Sequence, residues 1–170
     1  MRVDWTNRWR SAEMLGSEEG RGRMIASVED AARLGADAVL TYMFIGYDDP
    51  DAEARQVEDV AEMTQACEAL GIGCIIEPMA RGRRADHDIY RPEFIAMGAR
   101  IACEIGADVL KTDYSGSGDT FRQVIDATFR PVLIAGGPKT ETLREALEMV
   151  SGALHAGARG MFIGRNVFQA

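Results

Sequence analysis

Amphipathic helical stretches that end at a glycine and lead into a short apolar strand recur along the chain. Four segments show this pattern: "DAARLGADAVLTYMF", "ACEALGIGCIIEP", "ACEIGADVLK" and "ALHAGARGMFIG". Their glycines, Gly35, Gly71, Gly106 and Gly157, supply the left-handed backbone that commonly ends a helix. A further strand, "RPVLIAGG", begins after Pro131. Because helices and strands alternate, the pattern predicts an α/β protein whose parallel strands are joined by right-handed crossovers.

The apolar periodicity also gives approximate bounds for the elements. Strands are predicted at residues 2–6, 38–45 and 74–79, and residues 10–24 are predicted to form a loop. Helices are predicted after Ser27, from "YDDPDAEARQ" to about Leu70, from about Pro92 to Ile105, from about Asp119, and after Thr142. Thr142 and Glu145 have the spacing of a capping box. The helix that follows is predicted to have one apolar face, formed by Leu143, Ala146, Leu147, Val150, Ala153 and Leu154.

A lysine follows one of the apolar strands. In "GADVLKTDYSGSG", Lys111 comes directly after Val109 and Leu110 and precedes a loop rich in glycine and serine. Strands of parallel sheets are usually covered on both faces, and a lysine amine removed from water loses its proton more readily. A neutral amine can attack a carbonyl group to form a Schiff base. Alternatively, Lys111 marks the end of a strand and reaches water.

Two later strands end in glycines that are suited to bind an anion. "AGGPKT" contains Gly136 and Gly137 before a helix, and "IGRN" contains Gly164 and Arg165. Glycines let backbone N–H groups approach an anion closely, and an arginine can contact two phosphate oxygens at once. Either glycine pair alone is also typical of a simple turn. Their occurrence on consecutive strands favours a phosphate site, which barrels commonly place after their last two strands.

Composition narrows the class of protein. The 170 residues predict a single domain covering residues 1–170, and the apolar content of 46% is that of a globular chain. A net charge of −8 argues against a general nucleic-acid or acidic-membrane binder. The three cysteines lie in apolar patterns without metal spacing, so we expect reduced thiols and a cytoplasmic protein. No apolar stretch approaches the length of a membrane span.

Four motifs in order, "ASVEDAARLGADAV", "ADVLKTDYSG", "PVLIAGGPKT" and "IGRNVFQ", resemble the archaeal-type (DhnA-type) class I fructose-bisphosphate aldolases. This family belongs to the Schiff-base aldolases, which include deoxyribose-phosphate and tagatose-bisphosphate aldolases. The resemblance covers about residues 25–169. It implies a (β/α)8 barrel, a Schiff base on Lys111 with Tyr114 near it, and no metal or organic cofactor. It also implies a substrate phosphate bound by Gly136, Gly137, Gly164 and Arg165.

The strand before the lysine strand departs from the family. Members often carry a Trp-x-Tyr-x-Arg-Gly run, whose tyrosine donates a proton. Here the run is "EPMARG", so Glu77 replaces the tryptophan and Met79 the tyrosine, whereas Arg81 matches and is expected in the substrate site. Glu77 and Met79 are two residues apart and should face the same side of the strand. The predicted catalytic residues are therefore Lys111, Tyr114 and Glu77, with Glu77 as the candidate acid/base. Alternatively, Glu77 is a structural carboxylate paired with Arg81 or Lys111.

Length is the second departure, because a complete (β/α)8 barrel takes about 250 residues. The resemblance places this chain from about the third strand to the eighth, so we expect a partial barrel without the first two β/α units. Such a sheet has two open edges. The chain would then be a fragment, be completed by a second copy, or persist as an unclosed sheet. We expect a homo-oligomer.

These observations lead to one expected activity and two alternatives. The expected activity is a class I aldolase that acts on a phosphorylated ketose or aldehyde, such as fructose 1,6-bisphosphate, through a lysine iminium and without a metal. One alternative is a non-catalytic remnant that binds phosphosugars. The other is a related Schiff-base barrel enzyme, with transaldolase-like or dehydratase-like chemistry. In each case the expected partner is a small sugar phosphate.

Overall fold

A computed structural model of the chain describes residues 3–5, 7–9, 22–24, 26–85, 88–138 and 140–164. The strands in chain order are β1 (Val3–Trp5), β2 (Asn7–Trp9), β3 (Gly22–Met24), β4 (Ala38–Ile45), β5 (Gly73–Ala80), β6 (Val109–Thr112), β7 (Val132–Ala135) and β8 (Gly160–Phe162). The helices are α1 (Val28–Arg33), α2 (Pro50–Leu70), α3 (Pro92–Glu104), α4 (Gly118–Asp126) and α5 (Leu143–Ala156).

Six of the strands form one parallel sheet in the order β1-β4-β5-β6-β7-β8. Each of α2 to α5 lies in the chain between two neighbouring strands of this sheet, which is the connectivity of successive β/α units. The predicted α/β class, the predicted strand at residues 2–6 and the alternation of elements are therefore confirmed. β1 and β8 form the two edges of the described sheet.

The two faces of the sheet are covered differently. On the outer face, alternate residues such as Val39, Ile76, Leu110 and Ile134 join the helices in the main hydrophobic core. The residues between them point to the inner face, where a smaller apolar cluster forms around Leu40. This alternation follows from the two-residue period of a strand. The ionisable side chains of these two strands, Glu77 on β5 and Lys111 on β6, lie on the inner face, whereas Thr112 on β6 is buried on the outer face.

Main-chain pairing between β5 and β6 is short. β4 and β5 are in register over eight residue pairs, whereas β5 and β6 are in register over two, which end at Ile76 and Leu110. The next residues of these strands are Glu77 and Lys111. The strands thus carry ionisable side chains directly beyond the point where their backbones stop pairing.

The connection after β5 crosses the end of β4 with close backbone contact. The N–H groups of Arg81 and Gly82 donate to the carbonyl of Ile45 at 3.1 and 3.2 Å, and Arg84 N–H donates to the Gly46 carbonyl at 2.8 Å. A Cβ atom on Gly82 would lie 2.0 Å from the Gly46 carbonyl oxygen. Only glycine fits this crossing, which fixes the backbone on either side of Arg81.

Two predictions about local structure need correction. Residues 10–24 were expected to be a loop, but Gly22–Met24 pairs antiparallel with Asn7–Trp9. These strands are three residues long, too short to show an alternating pattern. The last helix does not bury all of its predicted apolar face: Ala146 and Ala153 are buried, whereas the leucines are exposed by 46–68%, namely Leu143, Leu147 and Leu154. Helix α5 is the last of the described helical layer, so it has a helical neighbour on one side only.

The capping residues agree with the sequence. Ser27 and Thr142 each form a capping box, with Asp30 and Glu145 respectively, and Gly157 ends α5 in the left-handed conformation. These local signals are the reason that the helix bounds were predictable. Among the described helices, none combines the length and apolar composition needed to cross a bilayer.

Candidate active site

Strands β5 and β6 bring Glu77 and Lys111 together on the inner face of the sheet. The Lys111 Nζ atom donates a hydrogen bond to Glu77 Oε2 at 2.7 Å. The two residues are 8% and 5% exposed respectively. Lys111 therefore does not reach bulk water, and the alternative interpretation of it as a solvent-exposed strand end is wrong. The ion pair between Glu77 and Lys111, which was one of the predicted alternatives for Glu77, is present.

Burial changes the acidity of the Glu77 carboxyl. Desolvation raises its pKa above the ordinary value of 4.5, while the Lys111 ammonium acts in the opposite direction through charge and hydrogen bonding. The Asp113 carboxylate adds a further upward influence and Arg81 a downward one. The net effect is a raised pKa of Glu77, because removal from water disfavours the ionised carboxylate. A carboxyl with a raised pKa exchanges protons more readily near neutral pH than an ordinary glutamate does.

A second ion pair lies on the same face. Arg81 Nη2 donates to Asp113 Oδ2 at 3.1 Å, and Arg81 Nη1 donates to the carbonyl of Ala80 at 2.9 Å. Asp113 is 6% exposed, so its charge is compensated within the protein. Asp113 was not selected from the sequence. The available signal was its spacing, because Asp113 lies two residues after Lys111 and directly follows β6, where the alternation of the strand can continue for one residue.

Two aromatic residues complete the surroundings of the lysine. The Lys111 Nζ atom lies 5.1 Å from the centroid of the Phe162 ring, within the range of a cation–π contact. On β4, Tyr42 is the register partner of Glu77, and its ring stacks on Phe44 with centroids 5.8 Å apart. Burial, reinforced by the Glu77 carboxylate, raises the pKa of Tyr42 to about 12. Neither aromatic residue was selected from the sequence, where both read as apolar strand positions.

One cavity of about 810 Å³ connects these groups to the loops after β7 and β8. Its lining includes Lys111, Glu77 and Arg81, and also the predicted phosphate-site glycines Gly136, Gly137 and Gly164. Gly137 has a φ of +58°, in the region that favours glycine. A Cβ atom on Gly137 or Gly164 would meet no heavy atom within 4 Å, so these two glycines border open space. Arg165 lies outside the described residues.

Tyr114 does not line this cavity. Its ring lies 5.2 Å from that of Phe121, on the side of the helices, and its hydroxyl lies 2.5 Å from the position that a Cβ on Gly152 would occupy. The expected proximity of Tyr114 to the Lys111 amine is therefore not found. Tyr114 lies two residues beyond the end of β6, and its side chain packs against the main hydrophobic core.

The cysteines and acidic residues show no metal site in the part of the chain that the structure describes. No three His, Cys, Asp or Glu side chains in that part come together in a group that could hold a metal ion. Cys67, Cys74 and Cys103 are buried free thiols, as expected.

Comparison with known proteins identifies relatives over almost the whole chain. Residues 9–170 match the DeoC/LacD family aldolase. An uncharacterized aldolase of Saccharolobus solfataricus is 40% identical over 99% of this chain and 62% of its own length. A 2-amino-3,7-dideoxy-D-threo-hept-6-ulosonate synthase of Halobacterium salinarum is 41% identical over 91% of this chain and 56% of its own length. The chain thus spans about three fifths of the length of these curated relatives.

A solved structure gives the same result for the fold. An archaeal fructose-1,6-bisphosphate aldolase, with its catalytic lysine covalently bound to the carbinolamine intermediate of the substrate, superposes with a TM-score of 0.90. It is 32% identical, and the match covers 99% of this chain and 64% of that protein. The six parallel strands described above therefore form a partial barrel of the (β/α)8 type. This chain belongs to the DeoC/LacD family of aldolases.

Proposed function

We propose that the protein acts as a class I aldolase, with Lys111 as the amine that forms the Schiff base. The observation that carries this proposal is the buried Lys111–Glu77 pair at 2.7 Å, inside a cavity that also reaches the glycines after β7 and β8. An amine in this position is shielded from water, next to a proton acceptor and open to a small ligand. The covalently bound lysine of the solved archaeal aldolase supports the same assignment.

The geometry suggests how the amine becomes reactive. An ammonium group cannot attack a carbonyl, so Lys111 must first give up a proton, and the Glu77 carboxylate at 2.7 Å accepts it. The neutral amine then adds to the substrate carbonyl to form a carbinolamine. Glu77, now protonated, returns the proton to the carbinolamine oxygen, which leaves as water. The resulting iminium draws electrons from the neighbouring carbon–carbon bond.

The far end of the cavity is proposed to hold the substrate phosphate. Backbone N–H groups of Gly136, Gly137 and Gly164 are assigned to the anion, because glycine loops at strand ends let a phosphate approach the main chain closely. Arg165 follows Gly164 directly in sequence and is proposed to add a charged contact. Phosphate binding fixes the carbonyl relative to the Lys111 amine, and such positioning is a large part of catalysis.

The proposed substrate class is a phosphorylated ketose or its aldol fragments. Fructose 1,6-bisphosphate is one candidate, because it is the substrate named for the archaeal aldolase of similar structure. The relative from Halobacterium salinarum is named for a different product, 2-amino-3,7-dideoxy-D-threo-hept-6-ulosonate. The proposed reaction is therefore Schiff-base formation at Lys111, and assays with different phosphorylated substrates identify the sugar.

Reductive trapping tests the proposal directly. The protein is incubated with dihydroxyacetone phosphate and borohydride, and peptides are then analysed by mass spectrometry. The sequence contains two lysines, Lys111 and Lys139, so the site of an adduct is easily assigned. We expect an adduct on Lys111, and the variant Lys139→Met should retain it. An unmodified wild-type mass would disprove Schiff-base chemistry, and thermal stabilisation by sugar phosphates without an adduct would indicate a binding domain.

Replacing Glu77 by glutamine should change the pH dependence of the reaction. Glu77 must be ionised to accept the proton from Lys111, so wild-type activity should rise as the pH increases through the raised pKa of Glu77, above 4.5. Glu77→Gln should lower the rate by about 10²–10⁴-fold, the usual contribution of a general base. It should also remove the acidic limb of the pH–rate profile. A limb that persists unchanged in Glu77→Gln would assign the proton transfer to another group.

A further inference from the structure

If the protein is an aldolase as proposed, cleavage of the substrate carbon–carbon bond needs a proton donor other than Lys111. The inference below rests on that proposed function. Cleavage removes a proton from a substrate hydroxyl and later adds one to the carbon of the enamine. The described polar groups lining the cavity are Tyr42, Glu77, Arg81, Tyr90, Lys111 and Asp113. Lys111 is bound to substrate at this stage, and Arg81 and Asp113 are paired at 3.1 Å. The remaining candidates are Glu77 and two phenols.

Tyr42 is the phenol that the sheet places beside Glu77. The two residues are register partners on the parallel strands β4 and β5, and both line the cavity with Lys111. Neighbouring strands lie about 4.8 Å apart, so side chains of register partners on one face are adjacent. Stacking on Phe44, with 15° between the ring planes, holds the Tyr42 ring in a defined orientation. Tyr42 therefore projects from a regular, buried strand.

We propose that Tyr42 is the catalytic acid that protonates the substrate carbon, and that Glu77 resupplies its proton. In cleavage, the Glu77 carboxylate takes the proton of the substrate hydroxyl next to the breaking bond. The carbon–carbon bond breaks, its electron pair moves to the iminium to give an enamine, and the aldehyde product leaves. The Tyr42 hydroxyl then gives its proton to the enamine carbon, and Glu77 returns a proton to the phenolate. Both groups end in their starting states, and water releases the second product from Lys111.

The acidity of Tyr42 fits this role. Burial, together with the Glu77 carboxylate, raises the pKa of the phenol to about 12, so it remains protonated at neutral pH. Tyr42 is thus available as a proton donor, and Glu77 is a proton acceptor whenever it is ionised. Proton transfer in both directions uses two such groups side by side.

Deuterium exchange isolates this step from the others. Dihydroxyacetone phosphate is incubated with the protein in D₂O, and loss of the C–H signal is followed by proton NMR. This exchange occurs through the enamine and does not need an aldehyde substrate. By microscopic reversibility, the group that protonates the enamine carbon also removes the proton from that carbon. Tyr42→Phe should slow exchange by about 10²–10⁴-fold, the scale of general acid–base catalysis. The same variant should still give the borohydride adduct on Lys111, because the amine and Glu77 are unchanged.

Tyr47→Phe is the matched control. Tyr47 is buried in the loop after β4, and its hydroxyl donates to Gln56 Oε1 at 3.4 Å, outside the cavity. It should exchange deuterium at the wild-type rate. Adduct formation with wild-type exchange in Tyr42→Phe would overturn the assignment, and so would loss of the adduct in that variant. Failure of the wild-type protein to form any adduct would instead overturn the aldolase proposal, and this inference with it.

Discussion

Lys111→Met should abolish adduct formation and reduce any aldol cleavage by about 10⁵–10⁶-fold, the scale seen when an enzyme loses its nucleophile. Methionine has nearly the length of the lysine stem and fits a buried site, but it carries no amine. Cleavage of fructose 1,6-bisphosphate and borohydride trapping with dihydroxyacetone phosphate are the two measurements. Residual cleavage near the wild-type rate would show that the reaction does not pass through this amine.

The same variant should also destabilise the fold. Removing the ammonium leaves the Glu77 carboxylate 5% exposed without its partner. Loss of one member of a buried ion pair costs about 3–5 kcal/mol, less if the remaining carboxyl takes up a proton. The double variant Glu77→Gln/Lys111→Met has no unpaired charge and should recover part of this free energy of unfolding in urea denaturation. It should remain unreactive, which separates the chemical effect from the structural one.

Among the glycines that the structure describes, Gly82 is the one at which a single added methyl group, in Gly82→Ala, is expected to destabilise the fold most. Its Cβ would lie 2.0 Å from the carbonyl oxygen of Gly46 and 2.4 Å from the backbone nitrogen of Tyr47. These are main-chain atoms at the end of a buried strand and cannot rotate away. Overpacking usually costs about 1–3 kcal/mol, and a clash with backbone belongs at or above the upper end of that range. Urea denaturation measures the change in the free energy of unfolding.

The matched control is Gly73, the first residue of β5, the strand that leads to Gly82. A Cβ on Gly73 would lie 3.5 Å from the Cβ of Ala38, which is ordinary van der Waals contact. Gly73→Ala should therefore change the free energy of unfolding by less than about 1 kcal/mol. Equal effects of the two substitutions would show that the crossing at Gly82 relaxes without cost. Because Gly82 follows Arg81, its substitution should also disturb the Arg81–Asp113 pair.

The elements of this fold were largely predictable because their signals are local. Asp49–Pro50 at the start of α2, Thr142 at the start of α5 and the glycine that ends each of these helices are read within a few residues. Alternation along β5 placed Glu77 and Met79 on one face, as found. The antiparallel pair β2–β3 was missed, because each of its strands is specified by a partner that is more than ten residues away.

The candidate site was predictable in part, and its gaps have a physical cause. Lys111, Glu77, Arg81 and the glycines after β7 and β8 were selected and do meet in one cavity. Tyr114 was selected through family resemblance, but it lies beyond the end of β6 and packs against Phe121 on the side of the helices. Asp113 and Tyr42 were missed. The spacing of Asp113 from Lys111 was visible in the sequence, but its pairing with Arg81 and the position of Tyr42 beside Glu77 depend on cross-strand neighbours. Such neighbours follow from sheet order and register, which a single sequence does not state.

The position of β6 in the sheet has a consequence for local stability. β6 is paired on both sides, whereas β8 is an edge strand of the described sheet. Amide protons in the part of β6 that pairs with β5, at Val109 and Leu110, should therefore exchange with solvent only on large-scale unfolding, and those of residues 160–164 through small local openings. The proposed nucleophile thus directly follows the rigid centre of the sheet, and the proposed anion loops lie on the part that opens most readily. Bound sugar phosphate should slow amide exchange at the edge far more than at the centre.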